Sequence, residues 1–116
     1  MKLYKCFENF ISLINKNREW NIFMKNIAYM VIEKYRNGDP KPVYHRFREK
    51  GRMAPEGLNY ISSWINEEMT TCYQIMETND RMLLNAWIDN WKDIVDFEVI
   101  PVITSKEALD KIAPYL

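Results

Sequence analysis

A chain of 116 residues, 47% apolar and 14% aromatic, is long enough for one packed core and too short for two. Sixteen Lys/Arg balance sixteen Asp/Glu, so no global charge draws it to nucleic acid or an anionic membrane. Its two cysteines, Cys6 and Cys72, stand too far apart for a zinc spacing and are too few for a disulfide framework.

Residues 1–26 read as an N-terminal extension. They carry five Lys/Arg against two Asp/Glu, whereas the remainder carries eleven against fourteen. Leu3, Phe7, Phe10, Ile11 and Ile14 fall at helical spacing, and an Asn- and Lys-rich connector follows. The segment is either a loosely docked arm or sequence ahead of a start at Met24; a membrane- or partner-touching arm is the alternative. Glu8 and Asn9 interrupt its apolar stretch, so it does not read as a signal peptide. No run reaches the ~18–20 apolar residues of a membrane span. The expectation is a cytoplasmic chain with no membrane partner.

The domain is expected over 27–116. A first strand at 27–35 places Tyr29, Val31, Glu33 and Tyr35 on one face and Ala28, Met30, Ile32 and Lys34 on the other. Asp39 and Pro40 open a helix that runs to about Lys50 and buries Val43 and Phe47. Gly51 supplies its left-handed exit, and 52–57 is a turn-rich link. Runs 58–65 and 71–78 flank a polar turn and read as an antiparallel hairpin. Thr78 or Asn79 then caps a second helix over 80–95, with an apolar stripe through Leu83, Leu84, Trp87, Ile88, Trp91, Ile94 and Val95. A last strand at 97–103 is demoted to an edge by Pro101. Thr104 and Glu107 form a capping box for a short closing helix.

Strand–helix–strand–strand–helix–strand, with right-handed crossovers, puts the first and third strands in the middle of one sheet. The expected fold is α+β: a ferredoxin-like βαββαβ sandwich, a four-stranded antiparallel sheet with two helices on one face.

The other face is open, and function is sought there. Tyr73 and Ile75 are assigned to the helices, which sends Cys72, Gln74 and Met76 to the open face. Tyr60, Ser62 and Trp64 join them from the second strand, Tyr29, Val31 and Glu33 from the first, and Glu98 from the last. Such a face is too apolar to be left in water. The expected cover is a second copy, sheet against sheet, enclosing a lined interior.

The run VIEKYRNGDPKPVYHRFREKGRMAPEGLNYISSW, then CYQIME, then WIDNWKDIVDFEVIPVI resembles a bacterial family known as domain of unknown function 3303, across residues 28–108. The resemblance implies a dimeric α/β-barrel type of fold. It implies no activity.

Candidate ligand-binding residues are Tyr60, Ser62, Trp64, Cys72, Gln74 and Met76, with Arg52 as an anion-holding group near the pocket mouth. Glu33 and Glu98 are the acid–base candidates, since a carboxyl buried in a strand has a raised pKa; rim positions paired to Arg48 or Arg52 are the alternative. The single histidine, His45, reads as a solvated helix residue. It leaves no haem ligand on the second helix and no metal set, so no cofactor is expected. TCYQIME lacks the exposed aromatics of an RNA-reading strand, and the three glycines form no phosphate loop or dinucleotide fingerprint. The expected function is therefore a homodimeric small-molecule-binding protein, or a cofactor-independent enzyme on an aromatic or short organic substrate. The alternative is a structural or interaction module whose open face is consumed by its twin.

Overall fold

The computed structural model describes residues 25–116, so expectations for the extension up to residue 24 lie outside it. Strand β1 (Ile27–Tyr35) leads through a tight turn at Arg36–Gly38 into helix α1 (Lys41–Lys50). The hairpin is β2 (Asn59–Ile65) and β3 (Thr71–Thr78). Helix α2 (Arg81–Asp89), strand β4 (Val95–Val102) and helix α3 (Ser105–Ile112) complete the chain. The four strands form one sheet in the order β2-β3-β1-β4, with every pairing antiparallel. This is the expected α+β, ferredoxin-like arrangement, with β1 and β3 central.

Local chemistry sets the boundaries. The Asp39 carboxylate accepts from the Lys41 amide at 3.0 Å, so the acid caps α1 from just before Pro40, and Gly51 ends the helix at φ 70°. The Asn66 side-chain carbonyl accepts from the amides of Thr70 and Thr71, which closes the hairpin by an Asx-type bond. Thr104 and Glu107 form the reciprocal capping box of α3. Helix α2 is capped by Asp80, whose carboxylate accepts from Met82, rather than by Thr78 or Asn79.

Helix α2 also stops six residues before the expected end. The backbone from Asn90 turns over, Arg46 and Arg36 take the carbonyls of Asn90 and Lys92, and the Arg36 amide takes that of Ile94. Those long-range donors favour the turn over another helical turn. They let β4 begin at Val95, opposite Tyr35.

The core lies between the sheet and helices α1 and α2. Val31, Met76, Leu84, Trp87 and Val95 are at most 2% exposed, and each such side chain stabilises the fold by about 2–3 kcal/mol. Gly57 seals one end: at φ +95°, a Cβ there would stand 2.8 Å from Leu83 Cδ1.

The faces of the sheet differ from the sequence assignment. The residues packed under the helices are Tyr29, Val31, Glu33 and Tyr35 of β1 and Cys72, Gln74, Met76 and Thr78 of β3, all buried. Tyr73 and Ile75 face away from the helices. Strand β2 carries a bulge between Tyr60 and Ser62, which flips the alternation. Tyr60 therefore shares the helix side with Met76, while Ser62 and Trp64 share the open side with Ile75 and Tyr73.

Candidate functional site

A cavity of about 190 Å³ lies between the sheet and the two helices. Its floor is the sheet: Glu33 and Tyr35 from β1, Cys72 and Gln74 from β3, Ser63 and Ile65 from β2. Helix α1 supplies Val43, Tyr44 and Phe47, and Trp87 and Trp91 come from α2 and the turn after it. Arg52, on the link leaving α1, completes the lining.

Glu33 is the chemical centre of the floor. It lies opposite Cys72 on one side and Phe97 on the other, and it is only 8% exposed. Gln74 Nε2 donates to its Oε2 at 3.0 Å. A carboxylate removed from water without an ion pair is disfavoured. Burial accordingly pushes the Glu33 carboxyl from the ordinary 4.5 up to about 7, with the Arg52 charge acting in the opposite direction. Near neutrality it can both give and take a proton. The neighbouring Cys72 thiol is pushed up to about 12, by burial first and then by the Glu33 charge. It is a protonated thiol at working pH, unsuited to nucleophilic attack.

Arg52 is held by its backbone. Its carbonyl accepts from both indoles, Trp87 Nε1 at 2.9 Å and Trp91 Nε1 at 3.0 Å. Met53, next in the chain, adopts φ 62° and its carbonyl accepts from Asn90 Nδ2 at 3.4 Å. The Arg52 guanidinium carbon lies 3.7 Å from the Tyr60 ring centroid and 5.4 Å from that of Phe47. Such stacking suits a weakly hydrated planar cation. Among the described residues no carboxylate lies within 4.0 Å of its nitrogens.

The sequence candidates thus divide. Glu33, Cys72, Gln74 and Arg52 meet around one cavity, and the three strand residues do so on the helix-covered face rather than on the open face expected from the sequence. Tyr60 flanks it, stacked on Arg52 and hydrogen-bonded to Ser63 at 2.8 Å. Met76 is fully buried in the core and does not line the cavity. Ser62, Trp64 and Glu98 are on the open face, away from the others. Phe47, expected in the core, is 42% exposed at the cavity wall. Tyr35, Tyr44, Trp87 and Trp91 also line the cavity, beyond the residues the sequence singles out. The paired indoles bracketing a glycine-framed arginine were the available signal, but a stripe at helical spacing reads first as core.

The open face is organised differently. Its central rows run Trp64, Tyr73, Ile32, Glu98 and Ser62, Ile75, Met30, Ile100 across the four strands. Lys34 and Asp96 lie beyond one side of these rows and Glu77 beyond the other. Trp64 is 71% exposed. Among the described residues, no helix is long and apolar enough to cross a membrane, and no three His, Cys, Asp or Glu side chains gather as metal ligands would.

The family model described as a domain of unknown function (DUF3303) matches residues 27–116. Neither the curated proteins nor the solved structures contain a match to the chain.

Proposed function

The chain belongs to the DUF3303 family, and on that premise we propose that it binds a small organic molecule in the helix–sheet cavity. Glu33 there serves as the acid–base group of a reaction that needs no resident cofactor. One feature carries this reading: a carboxyl with no ion pair among the described residues, its pKa raised by burial to about 7, at the floor of an aromatic-walled cavity. Left purely structural, such a group costs stability that an apolar residue would not. Gln74 orients the carboxyl, and Arg52 stabilises negative charge that develops when a proton is taken.

In this reading the open face pairs two copies. Its apolar rows flanked by charge have the layout of an interface core and rim: Lys34 stands beside Asp96 at one end and Glu77 at the other, so opposite charges are available to a twin. A cytoplasmic location accords with so few cysteines.

Native mass spectrometry of the full chain tests both parts. The expected result is a dimer carrying a reproducible small-molecule mass that Ser63→Phe, filling the cavity, removes. Trp64→Glu should convert dimer to monomer. A bare monomer from the wild-type chain overturns the pairing. An adduct that survives Ser63→Phe overturns the cavity. A bare wild-type dimer whose Glu33→Gln variant has an unchanged pH–stability profile favours the interaction-module reading.

A further inference from the structure

The cavity's walls, volume and charge restrict what fits it. An apolar cavity of ~150 Å³ accommodates benzene, so about 190 Å³ has room for one six-membered ring and a short substituent. Flat rings line the helix side, from Tyr44 and Phe47 of α1 to Trp87 and Trp91. Ring-on-ring packing favours a planar aromatic body over an aliphatic one of equal volume.

The polar groups are asymmetric. Arg52 offers a guanidinium fork to which, among the described residues, no protein acceptor is hydrogen-bonded, while its backbone is pinned by two indoles. A cation on a cavity wall whose backbone is pinned, with stacking partners but no carboxylate within 4.0 Å among the described residues, matches a carboxylate's two oxygens. Glu33 and its Gln74 partner lie on the sheet side of the same space.

We propose that the ligand is a single-ring aromatic carboxylate, its carboxylate seated on the Arg52 guanidinium and its ring packed against Phe47, Trp87 and Trp91. The proposal rests on the reading of the cavity as a ligand site and narrows it to one class. It also fixes a pH dependence. The titratable and charged groups around Glu33 are Tyr35 on its own strand, Cys72 on β3, Tyr44 on α1 and Arg52 on the link. Tyr35 and Cys72 both hold their protons across neutrality, their pKa values raised by burial. Glu33 is then the group that changes charge between pH 6 and 8, and its ionisation opposes an anion in the same cavity.

The test is titration of the full ¹⁵N-labelled chain with benzoate, benzamide and benzylamine, followed by NMR of the Trp87 and Trp91 indole N–H signals. These signals report on the Arg52 carbonyl directly. At pH 6 benzoate should bind at least about tenfold tighter than benzamide, with benzylamine weakest; tenfold is about 1.4 kcal/mol. Benzoate affinity should fall several-fold by pH 8 in the wild type and stay level in Glu33→Gln. Arg52→Met should abolish the preference for benzoate, and Arg52→Lys, the milder change, should retain part of it. Equal or tighter binding of benzamide, or a preference that survives Arg52→Met, overturns the proposal and leaves the cavity reading intact. Absence of any response to all three probes at millimolar concentration overturns both.

Discussion

The two faces of this sheet are built from the same strands by the same alternation, yet they do opposite things. The covered face carries Glu33 as its one strand-borne charge, with a thiol and an amide beside it, under aromatic rings. The open face carries Lys34, Glu77, Asp96 and Glu98 around Met30, Ile32, Ile75 and Ile100. A carboxyl on the open face is one of several hydrated groups. On the covered face it is chemically altered by its surroundings. Apolar character alone therefore does not single out a face for the proposed ligand; the cost of the polar groups left within it does.

The largest expected effect separates the faces by stability. Trp87 is 2% exposed and donates to Arg52, so Trp87→Ala should cost about 3–5 kcal/mol in chemical denaturation. Trp64, 71% exposed, should change the stability of the dilute monomer by no more than about 0.5 kcal/mol when replaced by alanine. Its loss should instead weaken the concentration dependence of unfolding that the proposed pairing of two copies would impose. Comparable costs at both sites would erase the contrast.

Next comes the pH profile. Below about pH 4.5 Glu33 is protonated in both folded and unfolded chains. Between 4.5 and about 7 the unfolded chain ionises while the folded one keeps its proton, so stability falls as pH rises through that window and then levels. The size of the fall is on the order of 3 kcal/mol. Glu33→Gln, which still presents an acceptor to Gln74, should match the wild type near pH 4 and exceed it by that amount at pH 8. Glu98→Gln on the open face is the control, with effects within about 0.5 kcal/mol. A flat wild-type profile between pH 4.5 and 7 would mean that Glu33 is hydrated in solution.

These contrasts mark what the sequence could and could not say. The fold was legible because its punctuation is local: Asp39–Pro40 and Gly51 around one helix, the Thr104 and Glu107 box before another, period-two runs between. The choice of face was not, because β1 offers three apolar residues and one charge on each side, Glu33 against Lys34. Counting charge over all four strands breaks that tie, since Glu77 and Glu98 align with Lys34 and not with Glu33. The bulge at Tyr60 and Ser62 has no such marker: no glycine or proline stands there, and the neighbouring strand sets the register. The end of α2 is equally non-local, fixed by Arg36 and Arg46 reaching from other elements. Arg52 and Glu33 were candidates individually, but only the crossing of α1 and α2 over the sheet makes them one site.

The smallest effect compares one substitution on both faces. Trp91 is 5% exposed, and its indole N–H is one of two donors to the Arg52 carbonyl. Trp91→Phe keeps an aromatic ring but removes that donor and part of the ring volume. Trp87 still serves the same carbonyl, so the backbone acceptor is not orphaned and the cost should be about 1–2 kcal/mol. Trp64→Phe makes the same chemical change where no described hydrogen bond is lost, and should cost less than about 0.5 kcal/mol in the monomer. The pair of denaturation midpoints is read beside the Trp87 indole N–H signal, which Trp91→Phe should shift because Trp87 becomes the sole indole donor to a shared acceptor. A Trp87 signal that does not move would mean the two indoles hold Arg52 independently. The arginine's position would then be set by the link 51–57 alone, and the covered face would owe its organisation to the loop rather than to the helix above it.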